Sequence, residues 1–104
     1  RTHLIDGPLR GIREVDLWGA GQAGKPWLRW LQGKGFRVRH VVEVSPKKIG
    51  TQIHGVPVIA DTELPPPDGT PLIIAVGAAN ARELIETELA KQNYTPGKDA
   101  WFVC

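Results

Sequence analysis

The feature that most constrains this chain is a set of spaced glycines between a short apolar strand and a helix. The pattern G-x-G-x-x-G is matched by the run Gly19-Ala20-Gly21-Gln22-Ala23-Gly24. Residues 15–18 form the strand candidate before it, and apolar side chains at helical spacing follow it. The pattern alone is weak, but inside a strand–helix–strand unit of about 30 residues it is typical of dinucleotide-binding folds.

The three glycines of this run have different expected roles. Gly19 permits a tight turn, Gly21 lets a pyrophosphate approach the backbone, and Gly24 lets the helix pack close to the strand. Free N–H groups and the positive end of the helix dipole then face the phosphates. The alternative is a glycine turn that only shapes the fold around an empty crevice.

Strands and helices alternate along the rest of the chain. Strands are predicted at residues 15–18, 37–44, 56–59, 72–76 and 101–103, and helices at 22–33 and 80–92, with one helical turn near 61–64. Leu84, Ile85 and Leu89 are expected to share the packed face of the second helix. The alternation predicts an α/β fold: a small Rossmann-like, doubly wound parallel sheet of about five strands, in the order 3-2-1-4-5, with helices on both faces.

An acidic residue near the end of the second strand is predicted to bind the ribose of a nucleotide. Folds of this kind place such a residue about 20 positions after the glycine loop, and Glu43 lies 19 residues after Gly24. A carboxylate here favours a free ribose diol because it would repel a 2′-phosphate. Lys47 and Lys48 nearby partly offset that preference, although a solvated role is commoner for such lysines.

The loop after the fourth strand is predicted to face the glycine loop across the switch point of the sheet. This adds the small residues Gly77 and Ala78 and the polar Asn80 to the candidate site. Capping of the following helix is an equally good interpretation of Asn80. Arg82 either reaches a phosphate or pairs with Glu86 one helical turn on.

Composition and charge exclude several other classes of protein. The formal net charge is +2, and the basic residues of the first half are scattered rather than aligned, which argues against nucleic-acid binding. No apolar run is long enough to span a membrane, and Cys104 is the only cysteine. His3, His40 and His54 lack metal-ligand spacing. We identify no catalytic residue and no metal ligand, and we expect a cytoplasmic protein.

The chain begins at Arg1 and contains no methionine, which indicates a domain taken from a longer protein. Residues 1–12 show no clear period and contain two glycines and a proline. We interpret them as a leader or linker from a preceding domain, and residues 13–104 as the Rossmann-like nucleotide-binding domain.

Four segments in order carry a resemblance to a known group of domains: LWGAGQAGK at 17–25, VEVSPKKIG at 42–50, IHGVPV at 53–58 and IAVG at 74–77. Together they resemble the Rossmann-like C-terminal domain of bacterial family 2 glycosyltransferases. Related domains occur in sugar O-acyltransferases and in dehydratases and epimerases of polysaccharide biosynthesis. The resemblance implies that the three glycines form a phosphate loop and that Glu43 binds ribose. Asp16 departs from the usual apolar residue, which predicts a less deeply buried first strand.

Three functions follow as hypotheses. The first is a nucleotide- or nucleotide-sugar-binding accessory domain of a glycosyltransferase, not catalytic alone, with an upstream catalytic domain as its partner. The second is the cofactor-binding part of an NAD-dependent sugar-nucleotide oxidoreductase or dehydratase. The third is a structural or dimerisation module, forming a homodimer, with a vestigial crevice. The implied ligands are NAD or a UDP-sugar; neither nucleic acid nor membrane insertion is expected.

Overall fold

The computed structural model describes residues 2–78 and 80–103. In it, short apolar strands form one sheet, and two amphipathic helices pack on its faces. The elements in chain order are α1 (Thr2–Asp6), β1 (Glu14–Trp18), α2 (Gly24–Gly33), β2 (Arg37–Glu43), β3 (Gln52–Ile53), β4 (Val56–Ala60), a 3₁₀ turn (Asp61–Glu63), β5 (Leu72–Ile74), α3 (Ala81–Lys91) and β6 (Ala100–Phe102). No helix in these described ranges has the length and apolar character needed to cross a membrane.

The sheet confirms the predicted Rossmann-like topology. Its strand order is β3-β4-β2-β1-β5-β6. The five strands from β4 to β6 in that order are parallel, and they reproduce the expected 3-2-1-4-5 arrangement. The two-residue strand β3, which the sequence did not predict, pairs antiparallel with β4 and places Gln52 opposite Pro57.

One helix covers each face of the sheet. Leu28 and Leu31 of α2 pack on a cluster that contains Val15 and Leu17 of β1. On the opposite face, the buried residues of α3 pack against Trp18, Val42, Leu72 and Ile74. Each of the five parallel strands therefore contributes to both cores, as expected for a sheet with helices on both sides.

Leu84 does not belong to the packed face of α3, so that prediction is wrong. Ile85 and Leu89 are buried, whereas Leu84 is 73% exposed. Residues four apart share a helix face, and Leu84 precedes Ile85 by one residue, which rotates it by about 100°. Its exposure has consequences for the site described below.

A buried carboxylate lies in the middle of β1. The side chain of Asp16 is 1% exposed, so the expectation of a shallow first strand is wrong. The β1–β2 register shifts between Val15 and Leu17, and Arg39 and His40 both reach Asp16 from this irregularity. The Arg39 guanidinium donates to Asp16 Oδ2 at 2.7 Å, and His40 Nδ1 lies 3.0 Å from Oδ1. Burial of the Asp16 charge is tolerated because the carboxylate is paired with the Arg39 guanidinium.

Arg39 also joins the sheet to the extended segment between the 3₁₀ turn and β5. It donates to Asp68 Oδ2 at 2.9 Å, and its pairing with Asp16 raises its pKa above the ordinary range. The hydrogen bond from the Thr70 backbone N–H lowers the pKa of Asp68, and the hydrogen bond from Arg39 lowers it further by a smaller amount. Polar contacts therefore hold this segment against the sheet face.

The described part of residues 1–12 contributes side chains to the core. Leu4, in α1, and Leu9 are both buried and pack in the same cluster as Val15. Assignment of this segment to a preceding domain stays a prediction.

Replacement of Arg39 by Met should destabilise the protein strongly, because it leaves the buried carboxylate of Asp16 without its cation. We expect a loss of about 3–5 kcal/mol in the free energy of unfolding. Arg37→Met is the control, since Arg37 pairs with Glu14 at the surface and should cost less than about 1 kcal/mol. Urea denaturation measures both; equal losses would contradict the assigned role of the Asp16–Arg39 pair.

Alkaline pH should weaken the fold through Tyr94. Burial raises the pKa of Tyr94 from 10.0 to about 12, while its hydroxyl donates to the Pro65 carbonyl at 2.6 Å. Tyr94 ionises at a lower pH in the unfolded chain than in the folded protein. Its contribution to the free energy of unfolding is therefore fully present below about pH 10 and declines between pH 10 and 12. Tyr94→Phe should lose part of this dependence in urea titrations at pH 8 and 11. An unchanged slope would contradict the Tyr94 contribution.

Candidate functional site

The glycine loop begins where β1 ends, and two of its glycines are required by backbone packing. Gly19 has a φ of +135°, and a Cβ there would collide with the backbone oxygen of Ala75. A Cβ on Gly24 would collide with the backbone oxygen of Gly19. The start of α2, the end of β1 and the segment after β5 are therefore in close contact, as the sequence predicts for Gly24.

Gly21 has no such packing constraint. A Cβ built on it meets no heavy atom within 4 Å, and its φ lies outside the positive region. On the other side of the crevice, a Cβ on Gly77 would make only an ordinary contact of 3.7 Å with Ala23. Side chains at these two positions would fill open space rather than disturb the fold.

The glycine loop, the end of β2 and the segment after β5 enclose a crevice of about 150 Å³ at the carboxyl edge of the sheet. We call it the phosphate crevice; it is lined by Gly19, Ala20, Gly21, Gln22, Ala23, Gly24, Glu43, Ala75, Val76 and Gly77. The six predicted residues of the glycine loop, together with Glu43 and Gly77, thus line one crevice. Ala78 and Asn80 are exposed and outside this lining, and Ala79 lies outside the described residues.

Asn80 occupies the N-cap position of α3, but its side chain makes no capping hydrogen bond. The capping interpretation is therefore wrong for the side chain. Arg82 donates to Glu86 at 3.0 Å and lies 4.3 Å from the centre of the Phe102 ring. The interpretation of Arg82 as one half of a surface pair is confirmed.

Helix α2 presents its start to the phosphate crevice. No side chain caps it, and Ala23 at the N-cap position lines the crevice. In the first turn, the Lys25 N–H donates to the Gly21 carbonyl at 3.0 Å and Pro26 has no N–H, so the helix dipole is what attracts an anion to this end. Lys48, at the far side of the loop, donates from Nζ to the Ala20 carbonyl at 2.9 Å, whereas Lys47 is exposed. One lysine thus adds positive charge directly beside the glycine loop.

Glu43 ends β2 with its carboxylate held in place. Its Oε2 accepts from the N–H groups of Val44 at 2.7 Å and Ser45 at 3.1 Å. In the described part of the chain, Oε1 has no hydrogen-bond partner. A fixed carboxylate with one free oxygen is suited to accept a hydrogen bond from a hydroxyl group.

An apolar slot of about 330 Å³ adjoins the phosphate crevice between β2 and α3. It is lined by Trp18, Glu43, Val44, Asp61, Val76, Ala81, Leu84, Ile85, Thr87, Glu88 and Lys91. Its volume is at the low end for small-molecule sites. Val44 is 61% exposed and Leu84 73%, and both of these exposed apolar side chains border this one slot. Glu43 and Val76 line both cavities, which are therefore adjacent.

The slot is what sequence reasoning missed. Trp18 and Val44, which line the slot, were assigned only to strands, and Leu84 was assigned to the core. The available signal was the apolar residue immediately after Glu43. Its significance depends on α3 approaching β2, which periodicity alone does not reveal.

Other candidate residues lie elsewhere. His54 is exposed in the turn between β3 and β4, where its Nε2 lies 3.5 Å from Arg29 Nε and its carbonyl accepts from Gln32. His54 is therefore a surface-turn histidine that does not line the phosphate crevice. Within residues 2–78 and 80–103, no group of three or more His, Cys, Asp and Glu side chains is placed to hold a metal ion.

A comparison with known protein families identifies the family of the chain. A model of the CoA binding domain matches residues 12–95, which is most of the chain. The chain belongs to the CoA-binding domain family. No curated protein sequence matches it significantly.

Solved structures of the same fold are about twice as long. A crystal structure of RSP, a Rex-family repressor, has a TM-score of 0.66 at 16% identity, with 99% of this chain and 53% of that one covered. A second, of RSP in complex with β-NADH, has a TM-score of 0.64 at 16% identity and covers 88% and 46%. This CoA-binding-family chain thus spans about half the length of the structures it matches, and the likeness establishes the fold.

Substitutions of the loop glycines should separate packing from open space. Gly24→Ala forces a methyl group into the Gly19 carbonyl, and we expect a loss of about 1–3 kcal/mol or more in the free energy of unfolding. Gly21→Val should change it by less than about 1 kcal/mol, because nothing lies near its Cβ. Chemical denaturation of both variants tests this; a destabilised Gly21→Val with a stable Gly24→Ala would reverse the assignment.

Proposed function

We propose that this domain binds an adenine nucleotide cofactor with an unphosphorylated adenosine ribose, and that NAD fits best. The observation that carries the proposal is the position of Glu43, which lines both the phosphate crevice and the apolar slot. A nucleotide has the same order of parts: phosphates, a ribose diol and an apolar base. In this pose the pyrophosphate lies at the glycine loop, the ribose at Glu43 and the base in the slot.

The phosphate end of this pose is supported by Gly21 and by the start of α2. Neither a positive φ nor a close packing contact explains glycine at position 21, whereas close approach of a pyrophosphate does. The uncapped helix start and the Lys48 ammonium supply a positive environment. These features favour an anion bound through the backbone.

The ribose end distinguishes between cofactors. Glu43 has its carboxylate fixed by two backbone N–H groups, so it cannot easily turn away from a bound ligand. A 2′-phosphate as in NADP, or a 3′-phosphate as in coenzyme A, would bring two negative charges together. The free diol of NAD instead donates a hydrogen bond to the carboxylate. RSP, of similar fold, has been solved in complex with β-NADH, which is consistent with this choice.

Coenzyme A is the second candidate, favoured by Lys48 and by the family to which the chain belongs. The Lys48 ammonium lies within hydrogen-bond distance of the glycine loop and would offset part of the repulsion between Glu43 and a ribose phosphate. In that case Lys48, rather than Glu43, would dominate recognition of the ribose.

We also propose two kinds of longer protein in which this domain would be one part. An accessory domain of a cytoplasmic glycosyltransferase, with an upstream catalytic domain and a UDP-sugar ligand, stays compatible with the fold. Neither the family match nor the two RSP structures involves a glycosyltransferase. The cofactor-binding part of an NAD-dependent protein has more support, because a structure of similar fold is solved in complex with β-NADH.

Calorimetric titration with NAD, NADP, coenzyme A and a UDP-sugar tests the proposal. We expect NAD to bind most tightly. Gly21→Val should abolish NAD binding while the protein stays folded, because its side chain fills the pyrophosphate position. Gly33→Val is the control, since Gly33 also has open space around its Cβ but lies at the end of α2.

Glu43→Gln should weaken NAD binding by roughly tenfold, since a hydrogen bond to a charged acceptor contributes about 1.5 kcal/mol or more. It should also narrow the preference for NAD over NADP, because the repelling charge is gone. Gln keeps an acceptor for the Val44 and Ser45 N–H groups, so the turn is preserved. Tighter binding of coenzyme A than of NAD, lost in Lys48→Ala, would favour the second candidate instead.

A further inference from the structure

Beside its apolar walls, the slot has polar side chains in its lining that do not line the phosphate crevice. Trp18, Val44, Val76, Leu84 and Ile85 give it apolar walls suited to the faces of a flat ring. With the ribose at Glu43, a base would extend along these walls and present its outer edge to the remaining lining residues. Those include Asp61, Thr87, Glu88 and Lys91.

Asp61 is the polar side chain that this arrangement leaves available. It lies half-buried in the 3₁₀ turn after β4, and its carboxylate has no hydrogen-bond partner among the residues that the structure describes. Its backbone carbonyl is used instead: it accepts from Gln92 Nε2 at 2.8 Å. The turn is therefore tied to the end of α3 through the main chain, while the carboxylate stays free.

Glu88, the neighbouring acid, is already engaged. Its Oε1 accepts from Gln92 Nε2 at 2.9 Å, and its Oε2 lies 3.9 Å from Lys91 Nζ. Gln92 thus holds both the Asp61 main chain and the Glu88 side chain. Of the two acids, Asp61 is the one whose carboxylate has no partner among the described residues, so all of its acceptor sites are open to a ligand.

We propose that Asp61 selects the base by accepting a hydrogen bond from the 6-amino group of adenine. The proposal rests on the nucleotide pose of the previous subsection and deepens it. An ionised carboxylate only accepts hydrogen bonds, so it matches the N6 donor of adenine and opposes the O6 acceptor of guanine or hypoxanthine. The slot therefore prefers 6-amino purines to 6-oxo purines of the same size and shape.

NAD and nicotinamide hypoxanthine dinucleotide are the probes for this test, because the two molecules differ only at purine position 6 and at the N1 proton that accompanies the change. For the unaltered domain we expect NAD to bind at least about tenfold more tightly, as is usual when a buried polar edge is mismatched. Asp61→Ala should reduce the ratio to about two or less. Asp61→Asn, whose amide offers a donor to O6, should reduce it as well.

Glu83→Gln is the matched control, because Glu83 is an exposed acid at the start of α3 that does not line the slot. It should keep the full ratio. The Asp61 variants retain the main-chain bond to Gln92, so their thermal midpoints should stay close to that of the parent, and a circular-dichroism melt verifies this.

The possible failures are distinguishable. Equal binding of the two dinucleotides to the unaltered domain, with both lost in Gly21→Val, would overturn base selection by Asp61 and leave the nucleotide site intact. A ratio that persists in both folded Asp61 variants would also overturn the assignment. Absence of binding by either dinucleotide at millimolar concentration would overturn this proposal together with the proposed function.

Discussion

The contact between the backbones of Gly19, Gly24 and Ala75 is the constraint on which the rest of the structure depends. It brings the end of β1, the start of α2 and the segment after β5 closer together than side chains would allow. Because the strands are parallel, their carboxyl ends share one edge, and the crevice forms there. The start of α2 then borders open space that ligand phosphates can fill.

The sequence predicts the parallel sheet well because each prediction rests on local chemistry. The glycine spacing and the apolar run of β5 determine topology through backbone sterics and burial, and both are visible in the chain. Asp16 was misjudged for the opposite reason. Its environment depends on Arg39, a partner 23 residues away along the chain. No periodicity encodes such partners.

The candidate site divides along the same line. The glycine loop and Glu43 could be located by spacing alone, since one turn and one strand position them. The slot could not be located in this way. It forms between β4 and β5, where the chain has the 3₁₀ turn and extended residues in place of a connecting helix. Tyr94, Gln92 and Arg39 hold that segment by polar contacts, which leaves room above Trp18.

The two edges of the sheet have unequal capacity for self-association. On one side, β3 contributes only two residues and shields a strand that contains Pro57, so this edge offers few free backbone groups to an incoming chain. On the other side, β6 is the outermost strand, with Trp101 and Phe102 half-buried in it. Continuation of the sheet between molecules, whether in orderly assembly or in aggregation, is therefore easier at the β6 edge, beyond Ala100, whose carbonyl already accepts from the Gly97 N–H at 2.8 Å.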